Sequence, residues 1–565
     1  MTDATEVRMT LNYVLDSSCS KYGDTPAIGM ALEPALTYNE VHARVIALAY
    51  RMQREGVGKG DRIAILAENS HNWGIAYFAA VRLGAVVVPL LPDLPESDVR
   101  HILGEMQVKI LFTTQRQVDK IVELKSGGPG RIITLDDHVP DLELLAVVTY
   151  ADYLAGAQTI LAESAELPVF SDVDQDDLAA ILYTSGTSGY SKAVMLSHKN
   201  LTSNAYAASG LMAIPPGSVF LSILPMSHTY EFTCGFILPL ITGSRIAYAG
   251  KSPTPAILQK FCQHEKPLVI FAVPLVLEKI YKKRVLPQIG KSRLLTMLCK
   301  TSFGRRLIHR KIGLKLLDFF GGNLKLMGIG GAALNPEVET FLAEAKFPYL
   351  VGYGLTESSP LLAGGPAGDA TITVGSTGKP LPGVKIRIAD PAADTGIGEI
   401  CACGPNIMLG YYNDGEATAE VLSPDGWLAT GDLGFIDDAG NLHVCGRSKN
   451  VIVLPNGENV YPEAIEHKIN SYNWVVEGLV LENNGRLEAW IYPDYEVIDE
   501  ETAGRSRAER REYIDGRLES TRRELNEQLP SASRITKIFE RREPFVKTAT
   551  HKIKRYLYDS HSSLG

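Results

Sequence analysis

The run Ala179-Ala180-Ile181-Leu182-Tyr183-Thr184-Ser185-Gly186-Thr187-Ser188-Gly189-Tyr190-Ser191-Lys192-Ala193-Val194-Met195-Leu196-Ser197 decides how the rest of the chain reads. An apolar, strand-like segment from Ala179 to Tyr183 enters a loop of hydroxyls and glycines. Lys192 closes the loop and a second apolar segment follows. Glycines let backbone N–H groups turn toward an anion, and the hydroxyls of Thr184, Ser185, Thr187 and Ser188 add short donors. Lys192 adds a point charge. The chemistry suits phosphate. The loop is not a Walker A sequence, which places four residues before its Gly-Lys pair and Ser or Thr after the lysine. Here Gly186 and Gly189 are separated by two residues, and Ala193 follows Lys192. A Ser/Gly linker has similar composition, but linkers do not usually sit tightly between two strand candidates.

Around this loop lies a chain of 565 residues, too long for one ordinary domain. Hydrophobic residues make up 45% and charged residues 21%, which fits a globular protein with a substantial core. A net charge of −9 argues against bulk nucleic-acid binding, which favours a basic surface, and leaves room for a local basic nucleotide site. The seven cysteines are scattered and odd in number, so a reducing compartment is expected. Cys401-x-Cys403 lacks metal spacing and reads as part of a strand. The N-terminus shows no basic-then-apolar signal pattern, and the longest apolar run, Phe78 to Pro92, is broken by Arg82. A cytoplasmic protein, with peripheral membrane contact left open, is the expectation.

Along the chain, helical spacing marks Leu11 to Tyr22 and the segment from Tyr38 through Met52. Arg62–Leu66, Asn72–Gly84 and Ala85–Leu90 read as strand, helix and strand, a βαβ unit and hence a parallel sheet. Val108–Thr113 and Arg131–Leu135 continue it. Residues 136–175 are acidic and low in pattern, and read as a connecting surface segment. Asn200–Met212 reads as a helix, Val219–Pro225 and Pro267–Val273 as strands. Residues 282–315 are basic and helical in pattern, by default a solvated face, with a docking surface for anionic lipid or for a phosphorylated carrier as the alternative. Val475–Leu481 and Arg486–Tyr492 flank Asn484-Gly485, a hairpin signal. Residues 499–528 form helix, and Lys547–Arg555 reads as a basic tail. No solenoid repeat is present.

Four further stretches carry chemistry. Gly328-Ile329-Gly330-Gly331-Ala332-Ala333-Leu334 ends a strand in small residues, which admits a flat ring close to the backbone. Tyr353-Gly354-Leu355-Thr356-Glu357 puts an aromatic ring, a turn, a hydroxyl and a carboxylate within five residues. Trp427-Leu428-Ala429-Thr430-Gly431-Asp432 is followed by Gly446-Arg447-Ser448-Lys449-Asn450. Near the C-terminus stands Lys547-Thr548-Ala549-Thr550-His551-Lys552-Ile553-Lys554-Arg555. Singly each has a bland reading: a strand end, an exposed turn glutamate, a basic tail.

In this order, and following the Ser185–Lys192 loop, they resemble the adenylate-forming (AMP-binding) superfamily of acyl-CoA synthetases, luciferases and peptide-synthetase adenylation domains. The resemblance spans about Leu36 to Arg555. Leu224-Pro225-Met226-Ser227-His228-Thr229-Tyr230-Glu231, the Val273–Tyr281 block and Asn456–Pro462 lean toward long-chain acyl-CoA synthetases. It implies an α/β fold: a large multilayered N-terminal domain of parallel-rich βαβ sheets, residues 1–446, joined by a hinge at Lys449 to a small mobile α+β domain, residues 447–565.

The resemblance also implies roles. Thr184, Ser185, Gly186, Thr187, Ser188, Gly189 and Lys192 would wrap the ATP β- and γ-phosphates. Gly330, Gly331, Ala332 and Ala333 would line the adenine, and Tyr353 would stack on it beside Gly354 and Leu355. Thr356 would contact the α-phosphate and Glu357 would hold Mg²⁺, a hard ion that needs few carboxylates once phosphate oxygens join it. Asp432 and Arg447 would hold the ribose. His228 would lie beside the acyl group, although a satisfied core histidine is as good a reading. Lys552 would stand between two anions, the substrate carboxylate and the α-phosphate, and stabilise the transition state between them. Lys552, Glu357, Thr187 and His228 thus form the catalytic set. Ser191, Ala193, His551 and Asn450 depart from the usual residues, and none of these departures removes a catalytic charge. The implied reaction joins a carboxylic acid, a fatty acid by the long-chain features, to coenzyme A at the expense of ATP. A ligase loading the phosphopantetheine arm of an acyl carrier protein, or a non-catalytic nucleotide sensor, are the alternatives.

Overall fold

A computed structural model describes residues 7–122, 128–138, 147–184, 192–290, 292–455, 457–548 and 552–558. The α/β architecture is present, with parallel-rich sheets in the N-terminal part and a smaller C-terminal α+β part. One eight-stranded sheet runs in the order Leu361–Gly364, Tyr349–Gly354, Leu326–Ile329, Val269–Ala272, Val219–Ser222, Arg245–Tyr248, Pro26–Met30, Leu36–Thr37. Its central pairings are parallel, and both edge pairings are antiparallel. The other runs Gly410–Tyr411, Lys192–Ser197, Leu178–Thr184, Val86–Leu90, Arg62–Leu66, Ile110–Thr113, Arg131–Thr134, Val147–Thr149. Strands buried on both faces read as unbroken apolar runs, which is why Arg62–Leu66 and Val86–Leu90 were legible.

Helices fill the space between the sheets. His71–Arg82 is buried along most of its length, capped by Ser70, whose hydroxyl accepts from Trp73 N–H. Trp73 and Tyr77 stack at 5.4 Å, and Phe232 lies 4.5 Å from Tyr77. Each such ring removed from water contributes about 1.5–3 kcal/mol, so this cluster holds the two sheets together. Tyr38–Arg54 begins with a reciprocal cap between Thr37 and Glu40.

The stretch that opened the sequence reading sits at an antiparallel edge. Leu178–Thr184 pairs with Lys192–Ser197, with Thr184 opposite Lys192. Ser185–Ser191, which join these two strands in sequence, lie outside the described residues.

A third, four-stranded sheet of Lys385–Ala389, Gly398–Cys403, Leu428–Ile436 and Leu442–Arg447 carries Asp432 and Arg447. Beyond it, Val475–Asn483 and Arg486–Pro493 form the expected hairpin, with Asn484 and Gly485 both at positive φ. Ile535–Glu540 adds a parallel third strand, and Arg507–Glu527 packs on it.

Three expectations are corrected. Residues 136–175 are not merely a connection: Val147–Thr149 adds a strand and Tyr150–Ala162 a helix, capped by Thr149. Tyr150, Tyr153, Leu154 and Ala157 are its buried face, a helical spacing masked by the acidic flanks. The basic face at 282–315 is only partly solvated. Lys282 donates to the carbonyls of Asn470 (2.5 Å), Tyr472 (3.2 Å) and Val475 (3.1 Å), tying the N-terminal part to the C-terminal part. The basic tail is a built hairpin: Lys547 pairs across to Ile553, Lys547 makes an ion pair with buried Glu477, and Arg555 with buried Glu466.

Candidate active site

The strand Tyr349–Gly354 delivers Tyr353 and then turns. A side chain at Gly354 would place its Cβ 1.9 Å from the carbonyl oxygen of Pro360, so only glycine fits here. A short 3₁₀ turn, Thr356–Ser358, follows and presents Glu357. Three asparagines pin the turn from outside. Asn204 exchanges two hydrogen bonds with the Leu361 backbone, at 2.7 and 3.1 Å. Asn406 donates to the carbonyls of Ser358 (2.8 Å) and Leu361 (3.0 Å), and Asn200 to those of Pro405 and Ile407 (2.8 Å each). The Met408 N–H donates to the Glu357 carbonyl at 2.9 Å. Polar groups buried this way are costly unless paired, so the network sets one geometry for the turn.

Glu357 receives a hydrogen bond at Oε1 from Tyr411 Oη, 3.0 Å away. Lys192 Nζ lies 4.4 Å above the Tyr411 ring. One tyrosine therefore links the cation at the end of the phosphate loop to the carboxylate proposed for the metal. Among the described residues, no three His, Cys, Asp or Glu side chains cluster to hold a metal ion. A Mg²⁺ here would take the Glu357 carboxylate plus phosphate oxygens, which fits that ion's habits.

Asp432 is buried, with both carboxylate oxygens already engaged. Tyr353 Oη donates to Oδ2 at 2.8 Å and Arg447 Nε pairs with Oδ1 at 3.1 Å. An ionised carboxylate can accept about four hydrogen bonds, so capacity remains for ribose hydroxyls. The turn before it is held by Glu399, which accepts from Gly431 N–H at 3.0 Å, and by Thr430, which donates to the Ile400 carbonyl at 2.8 Å. Tyr353 is 9% exposed, so any adenine platform is the small part of the ring left open. Burial and the Asp432 charge push its phenol well above the usual range.

Lys552 faces this group from the C-terminal hairpin. Its side chain meets solvent but is crowded by protein, as in a cleft. That crowding lowers its pKa from the ordinary lysine value; the nearby Arg447 lowers it further, while Asp432 and Glu357 oppose the shift. His228 is within electrostatic reach too. Burial and Lys552 together bring its pKa down to about 4, so the ring is neutral at physiological pH. Nδ1 accepts the Tyr230 N–H at 3.2 Å, which leaves the proton on Nε2.

The structure thus brings together Lys192, Tyr353, Glu357, Asp432, Arg447, Lys552 and His228. Thr356 stands in the turn that presents Glu357, with Leu355 before it. Gly330 lies between the Tyr230 ring and the Gly352 carbonyl, and Gly331, Ala332 and Ala333 are exposed beyond it. Lys449 is exposed on the 3₁₀ turn after Arg447. Ser185, Gly186, Thr187, Ser188 and Gly189 lie outside the described residues. The sequence reading missed Tyr411, Glu399, Asn204 and Asn406. Asn406 and Tyr411 stand near each other in Gly404–Tyr411, but nothing in their spacing marks what they touch.

A model of the AMP-binding enzyme family matches residues 15–412. A Drosophila melanogaster protein named long-chain-fatty-acid–CoA ligase heimdall is 30% identical over 81% of this chain and 72% of its own length. The peroxisomal long chain acyl-CoA synthetase 7 of Arabidopsis thaliana is 29% identical over 82% of this chain and 69% of its own. The crystal structure of ATP-bound MatB from Rhodopseudomonas palustris superposes with a TM-score of 0.74 at 25% identity, covering 97% of this chain and 98% of that one. The chain belongs to the AMP-binding enzyme family.

Proposed function

We propose that this enzyme activates a long-chain fatty acid, with Lys552 as the residue that makes the first step possible. The reaction is that of an AMP-forming acyl-CoA synthetase and uses ATP, Mg²⁺ and coenzyme A. The substrate carboxylate attacks the α-phosphorus of ATP, giving an acyl-adenylate and pyrophosphate. The coenzyme A thiol then attacks the acyl carbonyl, giving the thioester and AMP. The observation that carries the residue roles is the convergence of Lys552 with Glu357, Asp432 and Arg447. An ammonium between a carboxylate and a phosphate relieves their repulsion; at about 4 Å and an effective dielectric near 20, such a contact is worth roughly 4 kcal/mol. Glu357 would hold Mg²⁺, which would supply charge neutralisation to the phosphate oxygens. Asp432 and Arg447 fix the ribose, and neutral His228 orients the acyl end through its Nε2 proton.

The boundary falls between residues 446 and 447, and Lys449 is the hinge. Its exposed side chain fits a pivot free of packing. Rotation there withdraws Lys552 and opens the site to coenzyme A. The long-chain relatives support a fatty substrate. Seven unpaired cysteines suit a cytoplasmic setting, and no described helix is long and apolar enough to cross a membrane. A panel of acids from short to long, assayed for pyrophosphate release and then for thioester on coenzyme A or on a holo acyl carrier protein, tests this reading. Release that is greatest with short acids removes the long-chain assignment, and thioester formed only on the carrier protein replaces coenzyme A as acceptor. No release with any acid leaves a nucleotide sensor.

A further inference from the structure

We propose that the outer face of helix Ser302–Phe319, with Met297 of the preceding helix Arg293–Cys299, docks on an anionic lipid bilayer. The proposal rests on this surface alone and stands whichever acid is activated. Residues 282–315 contain no Asp or Glu, in a chain whose net charge is −9. Apolar side chains project from the same region: Phe303 is 75% exposed, Met297 70%, Leu314 68% and Leu307 53%. Isolated exposed apolar residues are ordinary; a cluster inside a basic rim is not.

The spacing puts them on one stripe. Phe303, Leu307, Arg310 and Leu314 recur every three or four residues, and Arg306, Lys311 and Lys315 flank them, all exposed. The opposite face already serves the core through Ile312, Leu316 and Phe319. The helix is therefore apolar on two sides, and only one is explained by folding. The cations are not consumed by the fold either. Arg305 and His309 take Glu344 at 2.7 and 2.8 Å, leaving Arg306 at 4.0 Å. Among the described residues, Arg310, Lys311 and Lys315 have no carboxylate within ion-pair distance.

A raised ridge of single apolar side chains flanked by cations matches the headgroup–acyl boundary: the ridge enters the acyl region and the cations meet phosphates. An acidic protein partner would be served by the cations but would leave Phe303 and Leu314 exposed unless it offered its own groove.

The test is co-sedimentation of the full chain with vesicles of phosphatidylcholine alone or mixed with phosphatidylglycerol, at low and high salt. Binding to the mixed vesicles, weakened by salt, is expected. R310E/K311E should lower the partition coefficient more than about tenfold, since each cation contributes roughly a fivefold factor. F303S/L314S should lower it by a similar factor with little change in salt dependence, while pyrophosphate release with a short soluble acid stays as in the parent. Equal sedimentation with neutral vesicles, or F303S/L314S binding as the parent does, overturns the proposal. So does salt-sensitive binding to a holo acyl carrier protein that the same substitutions abolish in place of vesicle binding.

Discussion

The two halves of the site are built in opposite ways. On the N-terminal side, Glu357 and Asp432 are fixed from several directions by Asn204, Asn406, Tyr411, Glu399 and Tyr353, through hydrogen bonds of 2.7–3.1 Å. On the C-terminal side, among the described residues, the segment carrying Lys552 is anchored to its own small body. Phe545 N–H donates to Glu477 at 2.9 Å, Val546 N–H to Tyr558 Oη at 2.8 Å, and Arg555 pairs with Glu466. That body meets the rest through a few polar contacts, chiefly Lys282 and the Asn335 side chain, which donates to the His467 carbonyl at 3.1 Å. One half is held by a dense hydrogen-bond network; the other is joined to it by the Lys282 and Asn335 contacts. Rotation at the proposed hinge would withdraw the lysine and leave the contacts of Glu357 and Asp432 in place, as the proposed two-step reaction at one site requires.

This contrast can be broken most directly at Lys552. Lys552→Ala is expected to slow adenylation by about 10²–10³-fold, the usual loss of one transition-state donor. Thioester formation from supplied acyl-adenylate should stay within a few-fold of the parent. Equal loss of both half-reactions would show that Lys552 serves both steps and would remove the proposed exchange.

Asp432→Ala attacks the fixed half. It frees Tyr353 and Arg447 and would free the ribose, so Kd for ATP should rise by about a hundredfold, in line with roughly 3 kcal/mol for a lost charged hydrogen-bond partner. Isothermal titration with ATP reads this directly. An unchanged affinity would remove Asp432 from the nucleotide site.

Lys282→Met sharpens the contrast, because it weakens docking without touching either half. Three carbonyl contacts are lost, so adenylation should fall about tenfold, and Lys282→Arg should restore part of it. The half-reaction from acyl-adenylate should be unaffected. A change in thermal midpoint without a change in the ratio of half-reactions would make Lys282 purely structural.

The smallest effects are those of pH. Lys552 acts as a cation, and its pKa is lowered by crowding and Arg447, so adenylation should decline on the alkaline side sooner than for an ordinary lysine. His228, at about 4, should leave no inflection near pH 6.5. For stability, buried His198 is also held at about 4, with Nδ1 accepting the Leu11 N–H at 3.2 Å. A depressed histidine contributes fully above its unfolded value and loses that contribution as pH falls toward the folded one. From about pH 6.5 to 4 the loss approaches about 3 kcal/mol, measurable by urea unfolding. An unchanged midpoint over that interval would contradict the burial of a neutral ring.

What could be read in advance follows from where information resides in a chain. Arg62–Leu66, Leu11–Tyr22 and the Asn484-Gly485 turn depend on neighbours in sequence, and each fell where its pattern put it. The helix Tyr150–Ala162 was missed because acidic flanks diluted its apolar spacing. Tyr411 and Asn204 were missed for another reason. Tyr411 lies 54 residues from its partner Glu357 and Asn204 lies 157 from Leu361, and no local rule spans such distances.

The sequence by itself determined the family, the order of the candidate nucleotide-binding segments and the identity of the charged groups, because those are properties of short runs. Tertiary structure alone decided that Asp432 is shared by Tyr353 and Arg447, that Lys282 serves as a clamp between two bodies, and that Phe303, Leu307 and Leu314 face outward. Each of those is set by which surfaces meet, and packing fixes that only when the whole chain has collapsed.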